Sequence, residues 1–322
     1  MNDVSIQTEL GKAFEYACLQ SIYNELADSQ DVVIEQNSAL EIARQKYENA
    51  TPDMQNKMDL GADAATRVIL RLEPQLTTPL TNVPLYLSIQ KDARGQQGDV
   101  RDILCIRRQN EWEIGLSCKH NHAAVKHSRL SRTIDFGELW FGIPCSESYF
   151  IEINPLFDEL EELREQGELW RNISNKEERF YVPLLEAFIR ELERLNQNNQ
   201  GVIPERLLHY LLGRNDFYKI ITIDNRRVTQ VQAFNMYGTL NRNAGRERPL
   251  INVQQLPMPT RFYNIGFKPG SRNTVLVALD NGWTISLRIH NARTEVEPSL
   301  KFDVQLVGVP PLLYSHFEPW DT

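Results

Sequence analysis

Between residues 8 and 27 the apolar positions Leu10, Phe14, Ala17, Cys18, Ile22 and Leu26 return every three or four residues, which predicts a helix with one buried face and Thr8 as its cap. The same spacing predicts helices over 38–49 and 52–72. The latter gathers Met54, Met58, Ala62, Ala65, Ile69 and Leu72 and stops before Pro74, whose ring cannot continue a helix. The pattern then changes to short β-type runs. Residues 84–90 read as a strand, 95–98 as a turn, and 102–106 and 112–119 as two strands joined by Arg-Arg-Gln-Asn in a hairpin. After Lys119 the spacing of Val125, Arg129 and Arg132 predicts a basic helix, and 148–153 reads as a further strand. Acid-rich helices follow over 155–167 and 176–197, the second with Phe180, Leu184, Ala187, Phe188, Glu191 and Leu195 on one side. The amide-rich 196–201 is a linker candidate. Beyond it come one short helix (204–213) and mostly strands, at 218–224, 228–236, 273–282, 283–292 and 300–309, with Asp280-Asn281-Gly282 as a hairpin turn. The order predicts an α/β (α+β) chain in two parts: 1–200, a mixed sheet flanked by helices, and 201–322, a β-rich region.

Composition allows this: 41% hydrophobic and 24% charged residues suit a packed core. No apolar run reaches membrane-spanning length, and the first residues lack a basic then apolar signal, so the cytoplasm is the expected location. Cys18, Cys105, Cys118 and Cys145 form no CxxC and are expected to be reduced, buried thiols. The net charge of −8 argues against a polyanionic ligand until its distribution is considered. Residues 217–322 hold 12 Lys and Arg against 8 Asp and Glu, whereas 1–216 hold 23 against 35. Between Arg226 and Arg272 eight basic residues meet one acid, Glu247. Charge of that sign suits nucleic acid.

The chemistry concentrates in 98–132. Alternation along a strand projects Ser117 and Lys119 to one side, and Asp102 joins them if its strand pairs antiparallel with theirs. Phosphodiester hydrolysis needs a carboxylate for Mg²⁺, further oxygen donors, and a lysine for the attacking water or the developing phosphorane charge. Asp102, the backbone carbonyl of Cys118 and Lys119 fill those roles. Glu15, an acid flanked by apolar neighbours on the first helix, is a further metal ligand or else a rim residue. Any acid-headed strand followed by a lysine-ended one meets this pattern by chance, so the pattern alone does not decide. The segment from Lys119 to Arg132 holds four Lys and Arg, three His and no acid, which places His120, Asn121, His122, Lys126, His127, Arg129 and Arg132 as DNA contacts. The histidines match no standard zinc spacing, and structural roles stand beside the DNA-contacting ones. There is no G-x-S-x-G elbow and no glycine-rich phosphate loop. In the second half Arg226, Arg227, Arg242, Arg246 and Arg248 are interleaved with amides and aromatics, side chains that pair with purine edges. Arg288, His290, Asn291, Arg293 and Lys301 form a second candidate contact surface.

The strings GKAFEYA, GDVRDILCI, EIGLSCKHNHAAVKHSRLS and RIHNARTEVEPSLKFDV, which together span most of the chain, resemble the PD-(D/E)XK nucleases and, more narrowly, HaeIII-type type II restriction endonucleases. The resemblance implies a PD-(D/E)XK catalytic core followed by a DNA-recognition region. It further implies Mg²⁺-dependent double-strand cleavage of DNA within a short GC-rich palindrome, GGCC with blunt ends, and a partner DNA methyltransferase that protects host DNA. A palindromic target suits a homodimer. The sequence departs from the general motif at Ser117, where an acid is usual two residues before the lysine. Glu113 lies about 13 Å away along an extended strand, too far to substitute. The missing carboxylate falls to Glu15, with Asp99, Asp135 and Glu138 as alternatives. A non-catalytic DNA-binding protein and a structure-specific repair nuclease of the same superfamily are the competing readings.

Overall fold

The computed structural model describes residues 3–78, 83–91, 98–121 and 126–321, the side chains of 3–8, 126 and 127 excepted. The helices are α1 (Asp3–Leu26), α2 (Ser38–Glu48), α3 (Pro52–Leu72), α4 (Pro74–Thr77), α5 (Phe136–Phe141), α6 (Glu147–Glu165), α7 (Val182–Asn198) and α8 (Ile203–Leu212). The strands are β1 (Val32–Ile34), β2 (Leu85–Ile89), β3 (Ile103–Arg107), β4 (Trp112–His120), β5 (Lys126–Ser131), β6 (Phe217–Ile223), β7 (Val228–Phe234), β8 (Phe262–Phe267), β9 (Thr274–Leu279), β10 (Thr284–His290), β11 (Ser299–Gly308) and β12 (Tyr314–Pro319). This is the mixed α/β architecture that the pattern predicts.

The chain forms two compact units: residues 1–123, 213–256 and 312–322, and residues 124–212 and 257–311. In the first, seven strands run in the order β1-β2-β3-β4-β6-β7-β12. The β2–β3 and β3–β4 pairs are antiparallel and β4–β6 is parallel. Alternation lets Ile114, Leu116 and Cys118 of β4 join Phe14, Cys18 and Ile22 of α1 and Met58, Ala62, Ile69 and Leu72 of α3 in one buried core. Glu113, Gly115, Ser117 and Lys119 project to the other face. In the second unit β5-β11-β10-β9-β8 form an antiparallel sheet. One face of that sheet buries Leu130, Leu287, Phe302 and Val304, and Phe302 packs against Trp140 of α5 and Phe188 of α7, ring centroids 6.2 and 5.3 Å away.

Several expectations are overturned. The predicted basic helix after Lys119 is strand β5 over its described part, because Ser128 and Leu130 are buried at period two and the strand pairs with β11. The predicted strand at 148–153 opens α6. Ser146 accepts the Tyr149 N–H as its cap, and Tyr149, Ile153, Phe157 and Leu160 are buried on one side, so helical packing overrides local β propensity. Thr8 lies inside α1, which begins at Asp3. Residues 196–198 close α7 and so do not begin a linker. The two units do not follow a single division near 200: β6, β7 and β12 complete the first sheet, while β5 joins the second. The expected turn at 95–98 falls largely outside the described residues.

Candidate active site

Asp102 stands just before β3, its backbone N–H donating to the Leu116 carbonyl at 2.7 Å, which locks it to the middle of β4. Its Oδ2 accepts the Cys118 N–H at 2.7 Å, the Lys119 ammonium at 3.2 Å and the Ser117 hydroxyl at 3.4 Å. The sheet therefore brings together Asp102, Ser117, Cys118 and Lys119 as their spacing predicts. Burial pulls the Lys119 ammonium down, but Asp102 and Glu15 push the other way and prevail, so it is held protonated above the ordinary lysine value.

Glu15 is 5% exposed, one turn after Lys12, whose ammonium donates to its Oε2 at 3.1 Å. Burial first, then the negative charge of Asp102, push its carboxyl up to about 8, against the opposing pull of Lys12 and Lys119. The electrostatic coupling places this helix-borne acid within the field of the Asp102–Lys119 pair. The two carboxyl groups are hard oxygen donors, the type of ligand a divalent cation takes. Among the described residues no group of three or more His, Cys, Asp or Glu side chains gathers as a metal-binding set.

Asp99 has partners of its own. Its two oxygens take the Arg101 guanidinium in a fork at 2.8 Å each, and Gln90 donates at 3.2 Å. Burial would raise this carboxyl, but Arg101 outweighs it and holds it below its ordinary value. Arg101 also donates to Glu113 at 2.5 Å. Its side chain crosses β4 at Gly115, where a Cβ would come within 2.9 Å of the Arg101 Cβ and overlap the atoms beyond it. Asp135 caps α5 by accepting the Glu138 N–H at 2.9 Å, and both lie in the second unit.

His120 is placed as a structural residue. It is 6% exposed, with Nδ1 3.1 Å from the Thr222 hydroxyl and Nε2 3.1 Å from the Asn121 amide. Burial, helped by Lys57 and opposed by Asp224, lowers its pKa. Asn121 takes a left-handed turn (φ 53°) and accepts the Asp224 N–H at 3.0 Å. These contacts fasten the end of β4 to β6, with His120 buried and Asn121 exposed. His122 lies outside the described residues, as do the side chains of Lys126 and His127.

The basic residues divide between the units. Arg226, Arg227, Arg242, Arg246 and Arg248 are exposed on the first. On the second, the register aligns Arg129, Lys301 and His290 across β5, β11 and β10, with Arg288 opposite Asp303 in the next row of that face. Arg129 donates to Ser299 at 2.8 Å, Arg288 meets Asp303 at 3.3 Å and Arg293 meets Glu297 at 3.0 Å. Arg132 pairs with Asp158 at 2.6 Å, and Asn291 accepts the Tyr181 hydroxyl at 3.2 Å. Sequence reasoning missed Lys219, buried on β6 in register with Ser117; burial, and beside it Lys119, bring its ammonium down to about 8. The available signal was a lone lysine inside the apolar run Tyr-Lys-Ile-Ile-Thr-Ile.

A carboxylate and a lysine thus stand together at the ends of paired strands, with a buried glutamate of the first helix in their field. The family model of the HaeIII restriction endonuclease matches residues 11–310. The type II restriction enzyme HaeIII of Haemophilus aegyptius is 42% identical over 311 residues, covering 97% of each chain. The chain belongs to the HaeIII restriction endonuclease family and is thus a type II restriction endonuclease, a site-specific deoxyribonuclease. No solved structure matches it. Among the described residues no helix is long and apolar enough to cross a membrane.

Proposed function

We propose that this endonuclease cuts both strands of DNA at GGCC, leaving blunt ends, in a Mg²⁺-dependent reaction. The observation that carries the reading is the Asp102 carboxylate, gripped by the Cys118 N–H and Lys119, with buried Glu15 in its field. Asp102, Glu15 and the Cys118 carbonyl would hold the ion. When bound, it would polarise the scissile phosphodiester and acidify a coordinated water. Lys119 orients the attacking water and offsets the charge of the pentacovalent phosphorane, and its pairing with Asp102 keeps it protonated and aimed. Ser117 steadies Asp102 through its hydroxyl and adds no charge. The exposed arginines of the first unit and the Arg129, Lys301, His290 and Arg288 face of the second supply the contacts to DNA. A homodimer matches the two-fold symmetry of such a site, and a DNA methyltransferase of the same specificity protects the host.

Incubation of a plasmid with protein and Mg²⁺ should give discrete fragments whose sequenced ends are blunt and fall within GGCC. Lys119→Ala and Asp102→Ala, folded as judged by their melting, should give none. Wild-type cutting by either variant would remove these residues from the site, and ends mapped to another sequence would remove the specificity.

A further inference from the structure

We propose that residues 241–250 are a preformed finger that reads DNA sequence, with Arg246 at its tip meeting a guanine edge in the major groove and Asn241 as the positioning residue at its base. The inference deepens the cleavage reaction proposed above and rests on it.

Short-range bonds set the shape of the finger. Ala244 and Glu247 exchange two backbone bonds, each N–H donating to the other's carbonyl at 3.0 Å around a two-residue turn. Gly245 supplies the left-handed first corner of that turn (φ 61°), which leaves Arg246 exposed at the second. The corner between α3 and α4 fixes the loop from behind. There the Arg71 carbonyl accepts the Leu250 N–H at 3.2 Å, and the Gln75 amide donates to the Asn243 carbonyl at 2.7 Å. Asn241 is tied most heavily. Its N–H donates to buried Glu73 at 2.6 Å, and its side-chain amide to the carbonyls of Leu72 at 2.6 Å and Ile251 at 3.0 Å. Its Oδ1 accepts the Val253 N–H at 2.8 Å.

Charge identifies the occupant. Arg242, Arg246 and Arg248 are exposed within this short segment, against one acid, Glu247. Among the described residues none of these three arginines pairs with a carboxylate, whereas Arg129, Arg132, Arg288 and Arg293 of the second unit each do. The finger therefore keeps its guanidinium groups for a polyanion. Its place agrees with that reading. Arg242 lines a depression of about 250 Å³ with Arg101 and Glu113, and Glu113 projects to the face of β4 that carries Ser117 and Lys119.

A narrow two-stranded turn fits the major groove, about 12 Å wide, and the guanidinium fork matches O6 and N7 of guanine. GGCC offers guanines on both strands. Such a fork tolerates little misplacement, because both donors must meet their acceptors in one plane. A loop already held in place need not be ordered when DNA arrives, so Asn241 acts on recognition without touching a base.

The test compares full-length wild type with Arg246→Ala, Arg246→Lys and Asn241→Gly. Affinity in metal-free buffer is measured for a short duplex containing one GGCC site and for a duplex of the same length without it, together with melting temperature. Arg246→Ala should bind the GGCC duplex roughly 10- to 100-fold more weakly and the other duplex less than about threefold more weakly. Lysine at that position should restore little of the preference, since an ammonium has no fork. Asn241→Gly keeps a residue at ease with the left-handed φ of 60° and removes only the side-chain ties. It should lower the preference roughly tenfold while the melting temperature falls by less than about 5 °C. Equal loss on both duplexes in Arg246→Ala would make the residue a phosphate contact and overturn the inference, as would an unchanged preference or full rescue by lysine. A full wild-type preference in Asn241→Gly overturns its positioning role. Cleavage ends mapped to another sequence dismiss the GGCC target alone: the same comparison on the mapped site then decides Arg246, and a site without guanine overturns its role.

Discussion

Glu15→Gln separates the fold's demands from the reaction's. In the folded chain the Glu15 carboxyl stands at about 8, against an ordinary 4.5, chiefly because it is buried and secondarily because Asp102 is near. The native state thus keeps a proton that the unfolded chain has released between those two pH values. Raising the pH through this window favours the unfolded chain, and the full cost is reached above pH 8. At about 1.4 kcal/mol per pH unit, the rise sets a ceiling of about 5 kcal/mol. Glutamine has the same shape and cannot ionise, so the variant escapes the cost. Urea denaturation in EDTA should therefore give similar stabilities for wild type and Glu15→Gln near pH 5, and a variant more stable by up to about 5 kcal/mol at pH 8.5. Adding Mg²⁺ at pH 8.5 should raise the wild-type midpoint and leave the variant nearly unmoved, since only the wild type gains a second carboxylate donor. The variant should also fail to cleave DNA. Parallel stability curves for the two proteins from pH 5 to 8.5 would refute the burial argument, and an equal response to Mg²⁺ would refute the ligand assignment.

Gly115→Ala tests the Arg101 crossing, because the new Cβ meets the Arg101 side chain and must push it from its fork on Asp99 and its contact with Glu113. The expected cost is about 1–3 kcal/mol, read as a lower melting temperature; an unchanged melt would show that Arg101 has room to move. If the basic face of the second sheet lies on phosphates, Arg129→Ala and Arg288→Ala should each reduce the slope of log affinity against log salt by about 0.9 in DNA binding. An unchanged slope in both would exclude that face from the backbone contacts.

Much of this molecule is legible in local spacing. The apolar face Phe14, Cys18 and Ile22 identifies α1, the Met58 to Leu72 face identifies α3, and the alternation from Trp112 to Lys119 identifies β4, because each element buries one side and its period records which. The same alternation placed Ser117 and Lys119 together and made Asp102 their partner across the hairpin. Where local signals compete, the sequence misled: Tyr149 to Ile153 favour a strand by residue type yet form a helix, since the Ser146 cap and the apolar face running on to Leu160 decide it.

The tertiary structure alone decided what lies far apart in sequence. Lys219 reaches the site through a parallel pairing with a strand about a hundred residues earlier, and no period along the chain records such a register. His120 became a buried tie because Thr222 of β6 and Asp224, just past its end, meet it. Asp99 is gripped by Arg101, whose side chain folds back upon it. The sequence by itself determined which elements form and which side chains share a face, because those depend on local periodicity. Only the folded chain determined which faces meet, because pairing and burial are set by residues distant in sequence.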